Sequence, residues 1–259
     1  METPRRALIT GASAGLGLEF ARQLAAKGYH LVLVARREDR LETIGTALAA
    51  EFGVGVECLV ADLSEAGSVE KIVRELAQRG LSIDFLVNNA GIAGPNLITD
   101  RDWPAQRDFF QLMMTSVAEL CHHLIPPMIE RGFGRVVNVA SVAGRIALNG
   151  SGNYGPAKAY VIALSEELNL LVADTGVNVC ALCPGYTHTD FHETAGLGEM
   201  KAEMPKWLWY DADGVVRDGL RAVEAGKPVM VSGRLYRWLD PFLQSVWTRW
   251  MFRFRTRPD

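Results

Sequence analysis

The sequence predicts an α/β protein with a single doubly wound parallel sheet, about seven strands with helices on both faces. Three observations predict it. Short apolar runs alternate strictly with segments of helical period. The runs are rich in Val, Ile and Leu and lack a polar face, as strands covered on both sides must. The first run passes directly into a glycine-rich turn and a helix, TGASAGLG at 10–17.

The elements follow in order. RALIT is the first strand, and GLEFARQLAAKG a helix closed by Gly28. HLVLVAR is the second strand, followed by the helix REDRLETIGTALAAEF. VECLVAD is the third strand, and SEAGSVEKIVRELAQRG a helix with Ser64 or Ser68 as candidate caps. IDFLVNNAG is the fourth strand. FFQLMMTSVAELCHHLIPPMIERG reads as one long helix bent near Pro126 and Pro127. GRVVNVAS, the helix AKAYVIALSEELNLLVAD and the strand VNVCALCPG come next. DADGVVRDGLRAVEAGK and PVMVSG give a last helix and strand. No linker composition splits the chain. Residues 1–240 are expected to form one domain with a lid at about 186–212, leaving a distinct tail at 241–259.

The net charge of −3 over 259 residues gives no reason to expect a nucleic-acid partner. Cys58, Cys121, Cys180 and Cys183 sit in apolar runs and lack metal-like spacing with the five histidines. No metal is expected, and free thiols suit a reducing compartment. METPRRALITGASAG is not a signal-peptide pattern, and no apolar stretch has bilayer length. A cytoplasmic location is expected, with membrane association left open by the tail.

The turn after the first strand carries Gly11, Ser13, Gly15, Leu16 and Gly17. Glycines let the backbone approach a pyrophosphate, and the following helix offers its N-terminal amides. This is the pattern of a Rossmann-type dinucleotide site. At the end of the second strand an acid would hold a ribose 2′-hydroxyl, whereas an arginine accommodates a 2′-phosphate. Ala35 stands where the acid would be, and Arg36 and Arg37 follow. Arg36 is the main candidate for the phosphate, which points to NADP (NADPH). The competing reading pairs both arginines with Glu38 or Asp39. Asp62 is placed to accept from an adenine amino group, with Leu63 against the ring. At the fourth strand's end, Asn89 would brace the sheet beside Ala90, and Gly91 would leave room for cofactor.

Tyr154 and Lys158 lie four residues apart, on one face of a helix. Pro156 between them costs little early in a helix, where amides lack partners anyway. Ser141 ends the fifth strand, so its hydroxyl and that of Tyr154 can converge at the sheet's carboxyl edge.

With TGASAGLG, NNAG at 88–91, Ser141, YGPAK at 154–158 and PGYTHT at 184–189, the chain resembles the short-chain dehydrogenases/reductases. The motifs are in the family's order over almost the whole chain. The resemblance implies an NADP-dependent oxidoreductase passing hydride between nicotinamide and a carbonyl or alcohol. Tyr154 would be the general acid/base. Lys158 would lower its pKa and bond the nicotinamide ribose, and Ser141 would hold the substrate oxygen. Pro184, Gly185, Thr187 and Thr189 would complete the cofactor site.

One position departs. Where many members carry a catalytic asparagine, this chain has Met113, so either another group, such as Thr115 or Ser116, closes the proton relay or proton resupply is slower. A catalytically impaired NADP-binding regulatory protein is the alternative. Tyr186, Phe191, Trp207, Trp209, Ile146 and Leu148 suggest a bulky apolar ketone or aldehyde, unless they only pack the lid to the body. His188 and His192 need no catalytic role.

In the tail, Asp240 and Pro241 are read as a helix start, with Leu243, Val246, Trp247, Trp250, Met251 and Phe254 at helical spacing among arginines. Such a helix would dock on its own domain or on a second subunit of a homo-oligomer, or would lie peripherally on a membrane.

Overall fold

The computed structural model describes residues 4–146, 152–188, 209–248 and 251. Seven strands form one sheet, all pairs parallel, in the order β3-β2-β1-β4-β5-β6-β9. They are β1 (Arg6–Thr10), β2 (His30–Ala35), β3 (Val56–Val60), β4 (Phe85–Asn88), β5 (Gly134–Val139), β6 (Val177–Cys183) and β9 (Val229–Val231). The order reverses between β1 and β4, which opens a crevice at their carboxyl ends.

Strand alternation divides the core into two layers. Ala7 and Ile9 of β1 and Leu31 and Leu33 of β2 meet Phe20 and Leu24 of α1 (Gly15–Ala26) and Leu41 of α2 (Glu38–Phe52). Leu8 and Val32 face the other way. They meet Ile72 and Leu76 of α3 (Ser68–Gln78) and Leu120 and Leu124 of α5 (Ser116–Glu130). Each such side chain, fully buried, contributes roughly 1.5–3 kcal/mol. Helix α6 (Tyr154–Leu171) packs on β6 and β5 and against residues 111–115, and α7 (Ala212–Glu224) lies beside α1.

Several boundaries differ from the sequence reading. Neither serine caps α3. Its N-cap is Gly67, and the hydroxyls of Ser64 and Ser68 donate instead to the carboxylate and carbonyl of Asp62. The long helix has its irregularity upstream of the prolines. α4 (Trp103–Phe110) is capped by the Asp102 carboxylate and passes through a π-helical turn, Gln111–Thr115, into α5, which carries both prolines inside. A π turn absorbs an extra residue and often marks a functional segment.

The last helix, α8 (Arg234–Gln244), starts six residues before Asp240 and contains Pro241. Gly233, at φ 93°, makes the break from β9 that side-chained residues resist, so the helix begins there. Ser245 is extended and Val246–Thr248 form a turn, so Leu243 and Trp247 do not share a helix. Trp250 and Phe254 lie outside the described residues.

All four cysteines are free. Burial pushes the thiols of Cys121, Cys180 and Cys183 up to about 12. Burial and the nearby Glu42 and Glu57 raise Cys58 as well. No helix of the described residues is long and apolar enough to cross a membrane.

Candidate active site

The crevice between β1 and β4 is floored by the glycine turn. Ala14, the N-cap of α1, supplies no side-chain acceptor, so the helix's first amides remain for an outside anion. A Cβ on Gly17 would lie 2.2 Å from the Gly11 carbonyl oxygen and 2.5 Å from Asn89 Nδ2, so only glycine fits. Asn89 braces this floor as expected, its Nδ2 donating to the carbonyls of Thr10 and Gly11 at 3.0 and 3.3 Å. Thr10 was not anticipated. Its hydroxyl accepts the amides of Asn89 and Ala90 at 2.9 and 3.0 Å, tying β1 to β4 at the crevice. A hydroxyl residue ending β1 was the available signal.

At the end of β2, Arg36 pairs with Asp62 at 3.5 Å rather than with Glu38 or Asp39. Arg37 reaches the glycine turn, Nη2 donating to Ser13 Oγ at 3.4 Å. Two guanidinium groups therefore flank the position where Ala35 replaces an acid. Partial burial acts to raise the Asp62 carboxyl, but hydrogen bonds from the Ser64 hydroxyl and amide and the Arg36 charge hold it below its ordinary value. Leu63 is buried in the core. The uncapped helix end, the glycine floor and the two arginines fit a dinucleotide carrying a 2′-phosphate.

The catalytic candidates converge. The Tyr154 hydroxyl is hydrogen-bonded to Ser141, whose Oγ also accepts the Ala143 amide at 3.1 Å. Lys158 is buried on the same face of α6, and its Nζ donates to the Val139 carbonyl at 2.7 Å. That partner is main chain and has no sequence signature. The electrostatics differ from expectation. Burial pushes Tyr154 up to about 12, with the Ser141 bond pulling against it. Lys158 is itself pushed by burial down to about 8, and its Nζ lies 5.7 Å from the Tyr154 ring centre. Burial therefore makes the phenol hold its proton more tightly than a free tyrosine would.

The relay substitutes are not placed as expected. Thr115 is exposed, and the Ser116 hydroxyl donates to the Leu112 carbonyl at 2.8 Å within its own helix. Met113 is buried in the π turn, and a Cβ on Gly91 would sit 3.2 Å from its sulfur. Gly91 thus makes room for Met113.

In the loop after β6, Val142 N donates to the Pro184 carbonyl at 3.0 Å, and Thr187 Oγ1 donates to the Gly185 carbonyl at 3.0 Å. The short strands β7 (Thr187–His188) and β8 (Tyr210–Asp211) pair in parallel. Trp209 packs beside them, stacked on His188 and tilted on Tyr186, with ring centres 5.2 and 5.3 Å apart. It is 8% exposed, so its ring is used in packing among the described residues. Ile146 is half-buried at the end of the Ser141 loop. Leu148, Thr189, Phe191, His192 and Trp207 lie outside the described residues.

Residues 5–199 match the short chain dehydrogenase family. The chain belongs to that family. Among its short-chain dehydrogenase relatives is the 3-oxoacyl-[acyl-carrier-protein] reductase FabG of Haemophilus influenzae, 35% identical over 72% of this chain and 76% of that one. A solved short-chain dehydrogenase from Sphingobium yanoikuyae, in complex with NADPH, superposes with a TM-score of 0.81 at 30% identity, covering 98% of each chain. The bulky-bulky ketone specific alcohol dehydrogenase from Comamonas testosteroni superposes at 0.78 with 27% identity, over 100% of this chain and 98% of that one. As a short-chain dehydrogenase, the protein is an oxidoreductase.

Proposed function

We propose that the protein is an NADPH-dependent carbonyl reductase acting on a bulky apolar ketone or aldehyde. One observation carries the reading: the Tyr154 hydroxyl, bonded to Ser141, stands beside buried Lys158 at the sheet's carboxyl edge. NADPH in the Sphingobium relative, and the ketone specificity of the Comamonas enzyme, support the cofactor and substrate class.

When bound, reduced nicotinamide would supply the hydride to the carbonyl carbon. Ser141 would donate to the carbonyl oxygen and fix its position. Tyr154 would pass its phenolic proton to that oxygen, completing the alcohol. Burial, which keeps the proton on Tyr154 until a stronger acceptor develops, suits reduction better than oxidation. The Ser141 bond and the charge of Lys158 would stabilise the phenolate left behind. Arg36 and Arg37 would hold the 2′-phosphate by charge-assisted bonds.

The test is a panel of apolar ketones and aldehydes, followed by loss of NADPH absorbance. Turnover with NADPH well above NADH is expected. Arg36→Asp, alone and with Arg37→Asp, should flatten that preference. Equal turnover with both cofactors in the unaltered protein would overturn the assignment, and no turnover across the panel would overturn the substrate class.

A further inference from the structure

Helix α8 presents two faces. Tyr236, Asp240 and Gln244 recur at every fourth residue and form one stripe. Trp238 and Phe242 form the opposite one and are exposed. No residue of α8 is fully buried, and its apolar anchor is the partly buried Tyr236, which packs against the core beside Tyr210.

The inner stripe reaches the two loops that meet at the catalytic residues. Asp240 accepts a two-pronged contact from Arg145, from Nε and, at 2.7 Å, from Nη2. Gln244 Nε2 donates to the Arg145 carbonyl at 2.6 Å. Arg145 closes the turn that begins at Ser141. Its amide donates to Val142, Gly144 N donates to Ser141, and both bonds are 3.0 Å. Four residues earlier on the stripe, the Tyr236 ring lies on Gly185, where a Cβ would meet it at 2.0 Å. The Tyr236 hydroxyl is hydrogen-bonded to the main chain of Tyr186. One helix thus grips both the Ser141 turn and the Pro184–Tyr186 loop, which Val142 N already links to each other.

We propose that Asp240, Arg145 and Tyr236 are positioning residues: through them α8 sets where Ser141 holds its hydroxyl against Tyr154. The Arg145–Asp240 pair is mostly shielded, with side chains 15% and 19% exposed. A planar guanidinium locked on a carboxylate fixes direction as well as distance. Removing the carboxylate leaves the Gln244 bond to the Arg145 carbonyl as the remaining hydrogen bond from α8 to the turn. The proposal rests on the reductase reading for its catalytic consequence, but the tether can be measured without turnover.

The experiment compares Asp240→Asn and Gln244→Ala with the unaltered full chain and with Trp238→Ala, on the outer face. Hydrogen exchange followed by mass spectrometry reads the peptide covering residues 141–146. Asp240→Asn should exchange there about tenfold faster, and Gln244→Ala by a smaller factor, while peptides from β1 and β4 stay as in the unaltered chain. Trp238→Ala should match the unaltered chain. With a ketone that is turned over, Asp240→Asn should lower kcat about tenfold and leave the NADPH dissociation constant within twofold. Adding Arg145→Met to Asp240→Asn should cost little more, because both remove one interaction. Unchanged exchange at 141–146 in Asp240→Asn would overturn the tether. Faster exchange with unchanged kcat would overturn its catalytic role. Loss of NADPH binding in step with kcat would mark a general structural defect and overturn it too. A silent substrate panel would instead sink the reductase reading, and exchange would still decide the tether.

Discussion

Helices α6 and α8 reach the same serine turn from opposite sides, by different physics. α6 buries Gly155, Ala157, Lys158, Val161, Ile162 and Ser165, and its Tyr154 meets Ser141 directly. α8 has no fully buried residue and meets the turn through Arg145, by ionic and hydrogen-bonded contacts. Tyr154, the proposed acid, sits on an apolar foundation, where displacement opens a cavity. α8 is linked to the turn chiefly by polar contacts, the shielded Arg145–Asp240 pair and the Gln244 bond to the Arg145 carbonyl. The difference teaches that placement of the chemistry and adjustment of it are carried by separate kinds of force.

The sharpest way to break this contrast is at Tyr154. Tyr154→Phe removes the proton donor but leaves the ring in its packing. It should lower kcat by about 10²–10⁴-fold, the usual range for a positioned acid, with NADPH binding preserved. Steady-state rates and cofactor titration check it, and near-normal turnover would remove α6 from the chemistry.

Next, apolar truncation should separate the helices by stability. Ile162→Ala in α6 should cost about 2–5 kcal/mol. Trp238→Ala, at an exposed site in α8, should stay within about 0.5 kcal/mol. Urea unfolding of both variants reads the difference, and similar losses would mean that α8 is packed as α6 is.

A third test uses pH. Lys158 is held near 8 when folded, below its ordinary value of 10.5, so the folded chain releases that proton first. Stability owed to this group is therefore depressed at neutral pH and recovers as pH rises from about 8 toward 10.5. Tyr154 works the other way, but only above its ordinary value of 10.0. The unaltered chain should gain on Lys158→Met between those limits, measured by denaturant unfolding at each pH. A flat difference would show that Lys158 is not buried as charge.

The smallest effect is expected at Arg237, whose pair with Asp218 at 3.2 Å ties α8 to α7 and is half-exposed. Arg237→Ala should cost under about 1 kcal/mol, and added salt should shrink the gap. A loss that resists salt would place this contact with the shielded ones.

The fold was legible because both-face apolar strands and helical periods leave few topologies open. The glycine turn, Asn89 and the Ser141–Tyr154–Lys158 set were legible because they occupy strand ends and one helix face. What escaped depends on side-chain direction or on main chain. Arg36 and Arg37 are adjacent in sequence, yet one turns to Asp62 and the other to Ser13. Lys158 finds its partner in a carbonyl, and Arg145 finds Asp240 across 95 residues. The π turn at Met113 and the start of α8 at Gly233 were hidden because helical period reads past both.

The shut-in thiols make the molecule its own clock. A maleimide or disulfide reagent attacks thiolate, and Cys121, Cys180 and Cys183 offer almost none while folded, each behind a closed wall of side chains. Labelling at these three positions must wait for an opening. Cys121 lies on α5, whereas Cys180 and Cys183 lie on the sixth strand, so the order in which mass is gained would time the release of a helix against that of the sheet it covers.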